Sequence, residues 1–147
     1  MLVSDILKHK GREVVTVSPE DTLETVVDLF TKRRIGAAVV MDGPDIAVII
    51  SERDVIRAAA MHGTGTLTCK AGDAMTREVM PCREDDRIEQ IMAHMTEGRF
   101  RHMPVLNGRQ LVGIVSIGDV VKVRLEEFER EAEAMREYIA DSQRVHH

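Results

Sequence analysis

The chain has 147 residues, 44% of them hydrophobic and 31% charged, the balance of a folded globular protein rather than a disordered one. Its formal charge of −5 argues against a general nucleic-acid binder, and no run approaches the roughly eighteen apolar residues that a membrane helix needs. Much of the acidity falls in the last thirty residues, so the body is nearer neutral and can hold an anionic ligand locally.

Aromatic residues make up only 3%, so the core must be aliphatic, with the nine methionines as adaptable filler. From the N-terminus, VSDIL (3–7) leads to a loop and a short strand expected near Val14–Val17. DTLETVVDLF follows, with Leu23, Val26, Val27 and Phe30 at helical spacing. Asp21 and Glu24 are placed to supply its N-cap and the reciprocal acid of a capping box. AAVVMDGPDIAVIIS reads as two strands around an Asp-Gly turn, and a helix begins near Glu52. The Gly- and Thr-rich stretch HGTGTLTCKAGD (62–73) reads as a join, with residues 63–70 as the linker proper.

The elements then recur. A strand is expected near Val79–Cys82, and DRIEQIMAHM repeats the helix with Ile88, Ile91, Met92 and Met95, capped by Asp86 and Glu89. HMPVLNGRQLVGIVS repeats the strand pair around Asn-Gly, and a helix starts near Gly118. Shifted by 65 positions, residues 21–57 align without a gap onto 86–122 with ten identities in 37 pairs, where chance gives roughly two at average residue usage. VSDIL matches AGDAM (71–75) at a shift of 68. The chain is written twice, as an α+β protein of two βαββα units of about sixty residues, each too small to bury a core alone. The expected division is 1–62, a linker, 71–123, and a helical tail over 124–147.

Each unit ends in an apolar strand followed by Ser-x-x-Asp: Ser51 with Asp54, and Ser116 with Asp119. The plainest use of that spacing is a capping box, which needs no ligand. A second use is chemical, since an ionised carboxylate accepts both hydroxyls of a ribose cis-diol and a helix N-terminus favours phosphate. The two uses are compatible.

This ordered set, VSDIL, VSPEDTLETVVDLF, AAVV and VIISERDVIR, then AGDAM, EDDRIEQIMAHM, RHMPVL and LVGIVSIGDVVK, resembles a CBS domain pair, or Bateman module, over residues 1 to about 123. The resemblance implies a non-catalytic sensor that binds adenosyl ligands such as AMP, ADP, ATP, NAD(H) or S-adenosylmethionine in clefts between the two repeats. It implies a ribose-binding role for Asp119 and Ser116, served by Arg101, His102, Met103 and Pro104, and a second site of Asp54 and Ser51 with Gly36, Ala37 and Ala38. Arg53 is a further phosphate candidate, and Met80 completes the expected binding set. Gly113 in the second repeat, where the first has Val48, marks a place where another group approaches the strand closely.

Arg33, Arg34, Arg99 and Arg101 end the first helix of each unit, where cations complement the helix dipole. His9, His62 and His94 lack metal-ligand spacing, Cys69 and Cys82 suggest neither a zinc site nor a disulfide framework, and no nucleophile constellation surrounds Cys82. No metal and no enzyme is expected, and without a leader-like segment the expected compartment is the cytoplasm. His146 and His147 are set aside as a possible tag remnant. In the tail, Val121, Leu125, Phe128, Ala132, Met135 and Ile139 are spaced 4, 3, 4, 3, 4, a heptad seam. The expectation is a homodimer through the CBS repeats and this helix, acting on a regulated partner protein. The competing expectation is a ligand-free dimeric scaffold that recruits another protein through the tail.

Overall fold

The computed structural model describes residues 1–42, 45–75 and 80–145. In chain order the elements are α1 (Val3–Lys10), β1 (Thr16–Val17), α2 (Leu23–Arg33), β2 (Ala37–Asp42), β3 (Asp45–Ser51) and α3 (Glu52–His62). A 3-10 segment (Gly63–Thr68) leads to α4 (Ala71–Ala74), β4 (Cys82–Arg83), α5 (Ile88–Gly98), β5 (His102–Asn107), β6 (Gln110–Ser116) and α6 (Ile117–Val145). The chain is α+β, with two three-stranded mixed sheets of order β1-β2-β3 and β4-β5-β6. In each, the short first strand is parallel to the second and the second is antiparallel to the third.

The duplication extends to irregularities. Both hairpins carry a register shift at matched positions, Val40/Met41 and Val105/Leu106. The short strands begin later than their apolar residues suggest, at Thr16 and Cys82, and Val79 lies outside the described residues. The helix caps also differ from expectation by one residue. Thr22, not Asp21, caps α2 by accepting from Thr25 N at 3.3 Å, and Arg87 is the N-cap residue of α5. Asp21 and Asp86 instead accept from the backbone N–H groups of Ser18 and Arg83 at 2.8 Å, so each fixes the turn into the helix.

Each sheet has two buried faces, which the strand period of two separates. Ala38, Val40, Val48 and Ile50 pack on α2, and Met103, Val105 and Val115 pack on α5. The alternate residues Ala37, Val39 and Ile49 meet Leu111 and Ile114 of the other sheet, so the halves close sheet against sheet.

The N-terminal helices are exchanged. Val3, Ile6 and Leu7 of α1 lie in the core of the second half, while Ala71 of α4 lies in that of the first. Backbone bonds hold both in place: Val3 N to Asp86 O at 2.9 Å and Ser4 N to Glu84 O at 2.9 Å, against Ala71 N to Asp21 O at 2.7 Å and Gly72 N to Pro19 O at 2.9 Å. Gly113 is the seat of α1, since a Cβ there would lie 2.6 Å from Leu7 Cδ2. The close approach expected at this glycine is made by the chain's own leucine. At the matched places of the first half stand Val48 and Met75, so there the strand carries a side chain where the second half has none.

Leu7 is fully buried and cannot swing aside. Gly113→Val is therefore expected to cost about 1–3 kcal/mol by overpacking, read as a lower urea midpoint at unchanged slope. Combining it with Leu7→Ala should give a smaller loss than the sum of the two single costs. Additive costs would show that Leu7 is not the occupant.

Candidate functional site

Both Ser-x-x-Asp motifs form the capping boxes that their spacing allows. Ser51 N donates to Asp54 Oδ2 at 2.8 Å and Asp54 N returns to Ser51 Oγ at 3.4 Å. Ser116 N donates to Asp119 Oδ2 at 2.9 Å and Asp119 N to Ser116 Oγ at 3.1 Å. The surroundings of the two aspartates then diverge.

Asp119 is engaged by the exchanged helix. Lys10, one turn beyond Leu7 on α1, places its ammonium 2.7 Å from Asp119 Oδ2 and 3.0 Å from the carbonyl oxygen of Ile114. Burial pushes the Asp119 pKa up, but the Lys10 ammonium and the Ser116 donors outweigh it and hold the carboxyl below its ordinary value. Asp54 is only 2% exposed and takes Arg57 Nη1 on Oδ1 at 3.4 Å, longer than a well-made charged pair.

Asp54 belongs to a cleft of about 660 Å³ lined from both halves. Gly36, Ile49 and Ser51 with Glu52, Arg53, Ile56 and Arg57 of α3 form one side, and the segment Gly98–His102 forms the other. Four guanidinium groups, of Arg53, Arg57, Arg99 and Arg101, face two carboxylates, of Glu52 and Asp54. The cleft is thus locally cationic on an acidic chain, and Phe100, Ile49 and Ile56 supply apolar surface beside the charges. Burial, then the neighbouring Lys10, pushes the His102 imidazole below its ordinary value against the pull of Asp119, so it is neutral at pH 7.

The structure regroups the sequence-predicted residues. Arg101 and His102 line the cleft of Asp54, together with Gly36, Ser51 and Arg53, and they also border the second motif, where Ile117 N donates to the carbonyl oxygen of Arg101 at 2.8 Å and His102 pairs with Ser116 across the strands. Ser116 and Asp119 are not among its lining residues. Ala38 and Met103 point into the helix-side cores, because the strand period turns them away from the cleft. Ala37 is buried between the sheets and Pro104 is buried opposite Ile114. Met80 is exposed and stands outside the lining.

Sequence reasoning missed Lys10, Glu52, Arg57 and Phe100, and it gave Arg99 to the helix dipole rather than to the cleft. A signal existed for some of them. Ile56 is an apolar residue between two arginines at helical spacing, and it is 69% exposed on α3. Arg99 holds the left-handed C-cap position of α5 at φ 57°, which turns the chain so that Phe100 and Arg101 reach the cleft.

The CBS domain model matches residues 3–61 and 71–126. The chain belongs to the CBS domain family. Among its relatives, the mitochondrial CBS domain-containing protein CBSX3 of Arabidopsis thaliana is 32% identical over 146 residues, covering 93% of this chain and 71% of that protein. The crystal structure of the CBS-domain containing protein ATU1752 from Agrobacterium tumefaciens superposes with a TM-score of 0.81 at 42% identity, covering 84% of this chain and 99% of that one. The CBS domain protein PAE2072 from Pyrobaculum aerophilum, solved in complex with AMP, superposes at 0.71 with 26% identity, over 81% of this chain and 89% of that one. Among the described residues of this CBS pair no helix is long and apolar enough to cross a membrane, and no group of three or more His, Cys, Asp or Glu side chains is placed to hold a metal.

Two predictions follow from the chemistry of these groups. A carboxyl whose folded pKa is depressed stabilises the fold above its unfolded value and loses that contribution as pH falls through the folded value. Asp119→Asn should therefore be less stable than wild type at pH 7, with the gap in unfolding free energy closing below roughly pH 4. A gap that persists unchanged in acid would remove the Lys10 ion pair as its cause. Separately, burial pushes the Cys82 thiol up to about 12, whereas Cys69 is partly exposed. A thiol reagent should label one cysteine quickly in the native protein and both in denaturant, and fast labelling of Cys82 would contradict its placement in the core.

Proposed function

We propose that this CBS pair is a non-catalytic sensor that takes one adenine nucleotide, AMP, ADP, ATP or NAD(H), in the Asp54 cleft and regulates a partner protein. The observation that carries this reading is the cleft itself: four arginines and a buried carboxylate line one hollow, to which both halves contribute. The arginines suit the phosphates, Asp54 is the acceptor for ribose hydroxyls on the side that Arg57 already reaches, and Phe100, Ile49 and Ile56 suit the purine. The AMP complex of the Pyrobaculum aerophilum relative supports the ligand class.

A ligand held by both walls shifts their relative arrangement by its differential affinity for the two states, and that shift is the output to a partner. Asp119 is outside this reading, because it is not among the residues that line the cleft. The competing reading, a ligand-free scaffold acting through α6, draws on the exposed apolar stripe of that helix. It predicts no response to any nucleotide.

Titration calorimetry with AMP, ATP and NADH separates the two. Saturable binding of one nucleotide per chain is expected for at least one of the three, and a hundredfold excess over Kd should add about 2.7 kcal/mol to stability. Arg101→Ala should weaken binding by about tenfold or more, the worth of one charge-assisted hydrogen bond, while Asp119→Asn leaves it unchanged. Silence with all three nucleotides, or loss of binding in Asp119→Asn alone, would overturn the assignment.

A further inference from the structure

We infer that the distal half of α6 pairs with α6 of a second copy of this chain as a parallel, in-register coiled coil. The helix runs unbroken for 29 residues, about 43 Å at the α-helical rise. Among the described residues only its first turns are anchored, by Val120 and Val123 in the second core, by Arg124 against Glu89 of α5 at 3.7 Å and by Glu127 against the N-terminal ammonium at 3.7 Å. Every residue from Phe128 to Asp141 is exposed, and the CBS match ends at residue 126. Among the described residues, only the Arg124 guanidinium, 4.6 Å over the Phe128 ring, lies on the seam. Leu125, Phe128, Met135 and Ile139 are between 49% and 60% exposed, with the small Ala132 midway along the stripe. A lone helix of this kind is marginal in water, and its stability must come from packing of the apolar stripe.

The flanking charges name the occupant. With Leu125, Ala132 and Ile139 at the a positions and Phe128 and Met135 at d, the g positions hold Arg124 and Glu131 and the e positions hold Glu129 and Arg136. In a parallel pair each g residue meets the e residue five places later on the partner helix. Arg124 then faces Glu129 and Glu131 faces Arg136, and two-fold symmetry makes both pairs twice. The antiparallel register with the fullest overlap keeps Glu129 against Arg136 but sets Glu131 against Tyr138. The surface is complementary to itself, in one orientation, whether or not the cleft takes a nucleotide.

The full chain should sediment at twice its mass at micromolar concentration, and Met135→Glu with Ile139→Glu should sediment as a monomer. Glu131→Arg and Arg136→Glu should each weaken the dimer several-fold, while the two together restore it. All four positions are exposed, so these changes leave the CBS core intact. A monomeric wild type, including one that instead captures a different protein, would overturn the proposal. So would a dimer that survives the two glutamates or one that the paired charge reversal fails to restore.

Discussion

The seating of Leu7 against Gly113 is the contact on which the rest of the molecule depends. It fixes α1 on the sheet of the second half, while the backbone of α4 is stitched to the turn that opens α2 in the first. Each core is thus completed by the helix that precedes the other repeat in the sequence. A unit of about sixty residues is marginal on its own buried apolar surface, and the exchange leaves neither core complete without the other half. The sheet-on-sheet contact of Val39 and Ile49 with Leu111 and Ile114 adds a shared third layer.

That arrangement also explains why two copies of one motif have different surroundings. Helix α1 carries Leu7 into the second core and, one turn later, delivers Lys10 to Asp119. The second Ser-x-x-Asp is thereby a cap and an ion pair that bind α1 to the start of α6. The first keeps its cap and opens on a cleft whose far wall, Gly98–His102, comes from the other repeat. The two corners differ in their neighbours: Lys10 of the exchanged helix meets Asp119, whereas Arg57 of its own helix meets Asp54.

The sequence carried the elements well, because their signals are local. Helical spacing of Leu23, Val26 and Phe30, and of Ile88, Ile91 and Met95, matches the residues that are buried. Met92, on the same pattern, is not, since it sits at the margin of the stripe. The duplication located both hairpins and both capping boxes. The exchange of α1 and α4 was not legible, because aligning one repeat on the other says nothing about whose sheet a helix covers. The site shows the same gap: the family resemblance put Arg101 and His102 with Asp119, and in space they border that motif but also line the cleft of Asp54. Ala38 and Met103 were misplaced for a different reason, as the strand period of two already separates them from their cleft-facing neighbours. Caps were off by one residue because an Asp that closes a turn and a Thr that caps a helix stand side by side.

Native-state hydrogen exchange tests the interdependence of the halves most directly. If each core is completed by the other's helix, the amides of Ile50 in the first sheet and Val115 in the second open together, with the same free energy and the same dependence on denaturant. Should one of these strands exchange through a distinctly cheaper opening while the other stays protected, the two halves would be separate folding units, and a cleft built jointly by them would lose its physical basis.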